Sequence, residues 1–197
     1  MPAECCANTA FTHNAAMTSR LPALSCLFCL LSAGTSMPSA AADTDTAGTT
    51  YIVVRHAEKA TDDPNDPSLS DAGHARARDL ASRLAHADLR AAYATQYKRT
   101  VQTIQPTTDA HGVAIARYDA DQSADVFAAR LIDAHSAGTV LVAGHSNTVP
   151  DIVSALCACE TEEMPETEYD RISTVHIAAD GTRSLQITRG MPPDSTP

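Results

Sequence analysis

Two stretches of this chain end an apolar run on a histidine. Val53-Val54 leads into Arg55-His56-Ala57-Glu58-Lys59, and Thr139-Val140-Leu141-Val142-Ala143 leads into Gly144-His145-Ser146-Asn147. Between them, Thr95-Gln96-Tyr97-Lys98-Arg99-Thr100 supplies a second arginine. A neutral imidazole has a nucleophilic ring nitrogen at ordinary pH. Arginine offers a permanently charged planar fork that fits phosphate oxygens. Two histidines and two arginines in one crevice describe phosphoryl transfer. His56 would attack phosphorus, Arg55 and Arg99 would clamp the non-bridging oxygens, and His145 would bind the same oxygens as charge spreads. Thr95 either adds a hydroxyl to the phosphate pocket or ends a strand. The scheme needs no metal and no cofactor.

A leaving group also needs a proton, from a carboxyl of raised pKa within reach of the leaving oxygen. Asp119, Asp121, Asp125, Glu58, Asp62 and Asp63 are the candidates, and the residues by themselves leave the choice among them open. Each residue has a plainer reading by itself: a surface turn for Arg55-His56, an exposed helix arginine for Arg99, a half-buried histidine for His145. Their joint placement at strand ends argues for the site. His56-Ala57-Glu58 also matches the His-x-Glu of zinc deaminases, but no Pro-Cys-x-x-Cys follows it.

The positioning elements follow from pattern. Tyr51 to Val54 reads as a buried strand, and the Asp- and Pro-rich stretch from 60 to 69 as a loop. Ser70 caps a helix to about Ala87, Leu89 to Ala94 is a strand, and a helix from Tyr97 to Ala110 carries Arg99 on its first turn. The free N–H groups at that helix start would also favour an anion. Val113 to Tyr118 reads as a strand, then Asp121 to His135 as a helix with Val126, Leu131 and Ile132 inward. A strand to Ala143 and a helix from Thr148 to Leu156 follow, Asn147 being placed to cap it. Ile172–Ala178 and Ser184–Thr188 alternate around Asp180-Gly181, a hairpin signal. Strands alternating with helices give an α/β domain, a three-layer αβα sandwich with a mainly parallel central sheet. Ligands bind such sheets at the carboxyl ends of the strands.

On these residues the chain resembles the histidine phosphatase superfamily, which includes the cofactor-dependent phosphoglycerate mutases. Arg55-His56-Ala57-Glu58 is similar to the opening Arg-His-Gly-Glu motif, with alanine at the glycine position. Thr95 through Thr103 matches the middle motif, and Gly144-His145 the third. The resemblance covers roughly residues 50 to 180. It implies a phosphoglycerate mutase-like fold, a phosphohistidine on His56, phosphate binding by Arg55, Arg99 and His145, and an acid after the middle motif, hence Asp119. If Ala57 must take positive φ, strain results.

The 197 residues carry a net charge of −10, which disfavours nucleic acid and anionic membranes as partners. The run Glu160 to Glu168 reads as a solvated acidic loop. Glu168 to Arg171 reads as an ion-paired turn, or as a segment folded over the pocket. Arg20, the apolar block 21–33 and Ser39-Ala40-Ala41-Ala42 read as a secretory signal peptide, with Met17 a better start than Met1. The expected organisation is a leader over 1–42, a phosphatase domain over 43–190 and a disordered tail over 191–197. That predicts a periplasmic or secreted protein with no stable membrane insertion after processing. Beyond the leader only Cys157 and Cys159 remain, read as buried thiols at a helix end rather than as a small-ring disulfide.

The function these features predict is an exported phosphatase acting on a small phosphorylated substrate. A mutase usually carries long insertions between the middle motif and the second histidine, whereas only about 45 residues separate Arg99 from His145 here. The alternative from another class is a phosphate-binding or sensing module without turnover.

Overall fold

The structure, a computed structural model, describes residues 48–192. By contacts the chain divides into 1–42 and 43–197. The leader, its signal-peptide pattern and residues 193–197 of the expected tail lie outside the described residues. The elements are β1 (Gly48–Arg55), α1 (Asp71–Arg83), β2 (Leu89–Ala94), α2 (Lys98–His111), β3 (Ile115–Arg117), α3 (Ala124–Ala134), β4 (Gly138–Gly144), α4 (Val149–Cys157), β5 (Arg171–Ala178) and β6 (Arg183–Arg189).

They form one sheet in the order β3-β2-β4-β1-β5-β6. The first four strands are parallel, and β5 and β6 are antiparallel. Alternation along the central strands divides the core. Tyr51, Val53, Val140 and Val142 pack on Phe127 and Leu131 of α3 and on Ile152, Val153 and Leu156 of α4. Ile52, Val54, Leu141 and Ala143 pack with Leu80 of α1 and Ile104 of α2. Helices therefore cover both faces, which is the three-layer sandwich. Among the described residues no helix is long and apolar enough to cross a membrane.

Several expected details shift. α1 stops at Arg83 rather than Ala87, because Ala85 and Ala87 bond back to Ser82 and Leu84 and turn the chain into β2. β3 holds three residues instead of six: Val113 N–H is taken by Thr108 O in closing α2 through left-handed Gly112. α3 begins at Ala124, and its buried stripe is Phe127, Ala128 and Leu131, while Val126 is 64% exposed. Phe127 sets that phase by stacking on Tyr118 at 4.2 Å. Cys157 and Cys159 form a disulfide, not free thiols. Ala158 between them is left-handed, which turns Cys159 back until the Cα atoms are 5.2 Å apart, within bridging reach. Met191 is tied down through its N–H to Asp79 and its carbonyl to Arg76, so the ordered chain runs past residue 190.

α1 begins against the site strand. The Ser70 hydroxyl accepts from Gly73 N–H, and Ser70 N–H donates to Glu58 O. Gly73 is buried against the Glu58 carbonyl oxygen, with which any Cβ would collide. Gly73→Ala is expected to cost about 1–3 kcal/mol, as overpacking does, measured by urea unfolding. A change of only a few tenths would show that this helix start shifts freely.

Candidate functional site

The register of two strands creates the site. β1 and β4 end level, with Arg55 opposite Gly144, and His56 N–H donates to Gly144 O at 2.9 Å. The next residue on each strand is a histidine. The His56 and His145 rings lie 5.4 Å apart, edge to face, and are 3% and 8% exposed.

His56 is held through Nδ1, 2.8 Å from Ala57 O. A carbonyl only accepts, so Nδ1 carries the hydrogen, and a neutral ring keeps its lone pair on Nε2. Burial lowers the ring's pKa from 6.5 to about 3; the Ala57 bond opposes this, and Arg55, His145 and Arg99 reinforce it. Ala57 N–H donates to Thr103 Oγ1, and Thr103 donates to Arg99 O, which ties the motif to α2. The only positive-φ non-glycine among the described residues is Ala158, so alanine at position 57 carries no backbone strain. Its side chain packs with Leu69 and Ala77.

His145 makes its ring contact through Nε2, 3.1 Å from Thr95 Oγ1. Thr95 Oγ1 in turn lies 2.8 Å from Thr100 Oγ1. Burial lowers the His145 pKa to about 4, with Arg99 and Arg55 acting in the same direction and Glu166 against it. Thr95 is fully buried and reaches the site through His145.

A cleft of about 270 Å³ opens above the two rings. His56, His145 and Arg99 line it, with Arg99 held 4.3 Å over the Tyr97 ring and its buried Nε left unpartnered. Arg55 lies behind this wall. Its Nη1 donates to the carbonyls of Pro165, Glu166 and Glu168, its Nη2 pairs with the Glu166 carboxylate at 2.7 Å, and Tyr169 stacks on it at 4.2 Å. Only Nε of Arg55 is buried without a partner. The first N–H of α2, from Lys98, is bonded to Asp66 and is not offered to an anion.

Of the expected acids, Asp121 alone reaches the cleft wall. Asp119 is exposed, accepts Asp121 N–H and lies outside the cleft; Asp121 lines it instead. Glu58 is turned onto Arg76, and Asp62 and Asp63 hold their own loop's N–H groups. Asn147 lines the cleft and caps nothing; Thr148 is the N-cap of α4. A larger hollow of about 740 Å³ beside Asp125, Asp151 and Cys159 contains neither histidine, so size does not mark the reactive site.

Sequence reading missed Lys59, Tyr97 and Glu166 in the cleft wall. Glu166 belongs to the acidic run that looked solvated. Its carboxylate holds Arg55 and accepts from Ser146, and these contacts, Ser146 first, keep its pKa low despite an exposed side chain. Glu168 and Arg171 do form the expected ion-paired turn, at 2.5 Å. The adjoining Tyr169 nevertheless reaches 6.1 Å from the His56 ring.

Residues 51–120 match the family model of the histidine phosphatase superfamily, branch 1. Comparison with curated proteins gives no match. Among solved structures the chain is similar to the protein histidine phosphatase SixA complexed with tungstate, with a TM-score of 0.55 and 19% identity over 73% of this chain and 97% of that one. It is also similar to YhfR of Bacillus stearothermophilus (0.57, 15%, 74% and 98%). Phosphoserine phosphatase of Entamoeba histolytica, in complex with 3-phosphoglyceric acid, gives 0.55 at 13%, over 73% and 98%. The chain thus has the phosphoglycerate mutase-like fold and the superfamily's motif segment.

The two low-pKa histidines set an acid sensitivity. Above pH 6.5 both rings are neutral, folded or unfolded, and contribute nothing to pH dependence. Below it the unfolded chain takes up protons that the folded site refuses, so stability falls as pH drops toward the folded values of about 3 and 4. Melting temperature between pH 6.5 and 4 should therefore fall less steeply in His56→Gln than in the wild type. Parallel slopes would show that His56 is protonated in the native site.

Proposed function

We propose that this protein is an exported phosphatase that hydrolyses phosphate monoesters, without a metal, through a phosphohistidine on Nε2 of His56. The observation carrying this reading is the state of that ring: buried, neutral, held by a carbonyl at Nδ1, and facing a cleft whose Arg99 has an unpartnered Nε. Nε2 attacks phosphorus and displaces the alcohol; water then attacks the phosphohistidine and releases phosphate. Arg99 binds the non-bridging oxygens from the cleft wall, and Arg55 contributes its remaining Nε and its charge from behind. His145 contacts the same oxygens as negative charge spreads over them.

Other features support the finer parts. Only the rest of α2, β3, α3 and β4 fill the chain between Arg99 and His145, which leaves little to grip the second phosphorylated end that a mutase must hold. The pairing of Cys157 with Cys159 suits an oxidising compartment, in agreement with the signal-like leader. The phosphate donors are guanidinium and imidazole groups, so charge neutralisation is supplied by the protein itself.

His56→Asn is expected to abolish hydrolysis of 4-nitrophenyl phosphate measured in the presence of a chelator, and to abolish an acid-labile phosphoenzyme trapped from the wild type. Arg99→Ala should lower kcat/KM about a hundredfold or more. Turnover that survives in His56→Asn, or that the chelator removes from the wild type, would overturn the reading.

A further inference from the structure

Of the two carboxyl groups that line the cleft, Glu166 is engaged by Arg55 and Ser146 and Asp121 is exposed to solvent; the hydroxyl chain behind His145 offers the proton a third route. Thr100 Oγ1 lies 2.8 Å from Tyr97 O and 3.2 Å from Thr95 O. Carbonyl oxygens cannot donate, so the single hydroxyl proton of Thr100 points to them. Thr100 must then accept from the Thr95 hydroxyl at 2.8 Å. With its own proton committed, Thr95 can only accept from His145 Nε2, 3.1 Å away. The hydrogen of a neutral His145 therefore sits on Nε2, and the bare nitrogen is Nδ1. This is the opposite tautomer to His56.

A bare Nδ1 facing a phosphate dianion sets a lone pair against a negative oxygen. One proton has to enter between them. Burial first, and then the charges of Arg99, Arg55 and Lys59, keep the ring neutral until then, against Glu166, which favours protonation.

Building on the phosphatase reading, we propose that His145 Nδ1 is the proton carrier of this site, taking the proton of a substrate phosphate monoanion and passing it to the leaving oxygen. The substrate arrives as R–O–PO₃H⁻ and its proton moves to Nδ1. His56 Nε2 forms the N–P bond, the P–O bond breaks, and its electron pair leaves on the alcohol oxygen, which takes the proton from Nδ1. In the second step water attacks phosphorus, and its proton passes through Nδ1 to the departing phosphate, so both histidines end as they began. Thr95 is a positioning residue that fixes which nitrogen does this.

The test has two readouts on the full chain. In ¹⁵N-labelled wild type at neutral pH the His145 ring should show the Nε2-protonated form; a ring protonated on Nδ1 overturns the proposal without reference to turnover. For activity, kcat/KM is compared on 4-nitrophenyl phosphate, whose leaving group needs no acid, and on ethyl phosphate, whose leaving group does. His145→Gln should lower the ethyl-to-aryl ratio about a hundredfold or more. Thr95→Val should lower that ratio in the same direction, and Thr95→Ser should restore it. Equal loss on both substrates in His145→Gln would make His145 an electrostatic contact and overturn the proposal. A wild type inert on both substrates overturns the phosphatase reading and the proton route with it.

Discussion

Everything reactive in this protein depends on the parallel pairing of β1 with β4. Seven registered pairs end with Arg55 beside Gly144, so each strand releases its next residue at the same height. A slip of one residue would turn every inward side chain to the opposite face. The register is held from both sides by the alternating core, with Tyr51 and Val53 facing α3 and α4 while Ile52 and Val54 face α1 and α2. A β-branched run buried on both faces thus does two jobs. It supplies apolar burial, and it fixes a ring separation that no loop could hold as tightly.

Electrostatics then divides labour between the two arginines. Arg99 stands on a helix start with its guanidinium against Tyr97 and toward the cleft. Arg55 is almost wholly buried and is satisfied by three carbonyls of the segment ahead of β5. A buried guanidinium without such partners would be strongly destabilising. The acidic segment is therefore part of the site's construction, holding Arg55 through main-chain carbonyls as well as the Glu166 carboxylate. Burial first, and then the charges of the two arginines, hold the two histidines neutral, which is the state a nitrogen nucleophile needs.

The legible and illegible parts of the sequence separate along physical lines. The carboxyl ends of β1, β2 and β4, the helix carrying Arg99 and the hairpin at Gly181 follow from local pattern, because period and turn chemistry are local quantities. The placement of Asp119 and Val126 failed for one shared reason. Where α3 starts is set by Tyr118 stacking on Phe127, a tertiary contact that leaves Asp119 outside and rotates Val126 to solvent. The role of Glu166 was hidden because the run around it is polar, and polarity predicts exposure. Its side chain is indeed exposed while its backbone carbonyl is a ligand of Arg55. Composition speaks for side chains and says nothing of where main-chain oxygens point.

The alanine at position 57 shows how a motif's glycine can change while the geometry it serves is kept. What the site asks of position 57 is a carbonyl for His56 Nδ1 and an N–H for Thr103. Both are main-chain groups, indifferent to a methyl. A Cβ adds cost only if φ is positive or space is lacking, and neither holds here: φ is ordinary and the methyl fills a small cluster with Leu69 and Ala77. The tight spot beside this motif is at Gly73, where the start of α1 presses on the Glu58 carbonyl. Close approach between α1 and the segment that follows His56 therefore requires a glycine, and the helix contributes it.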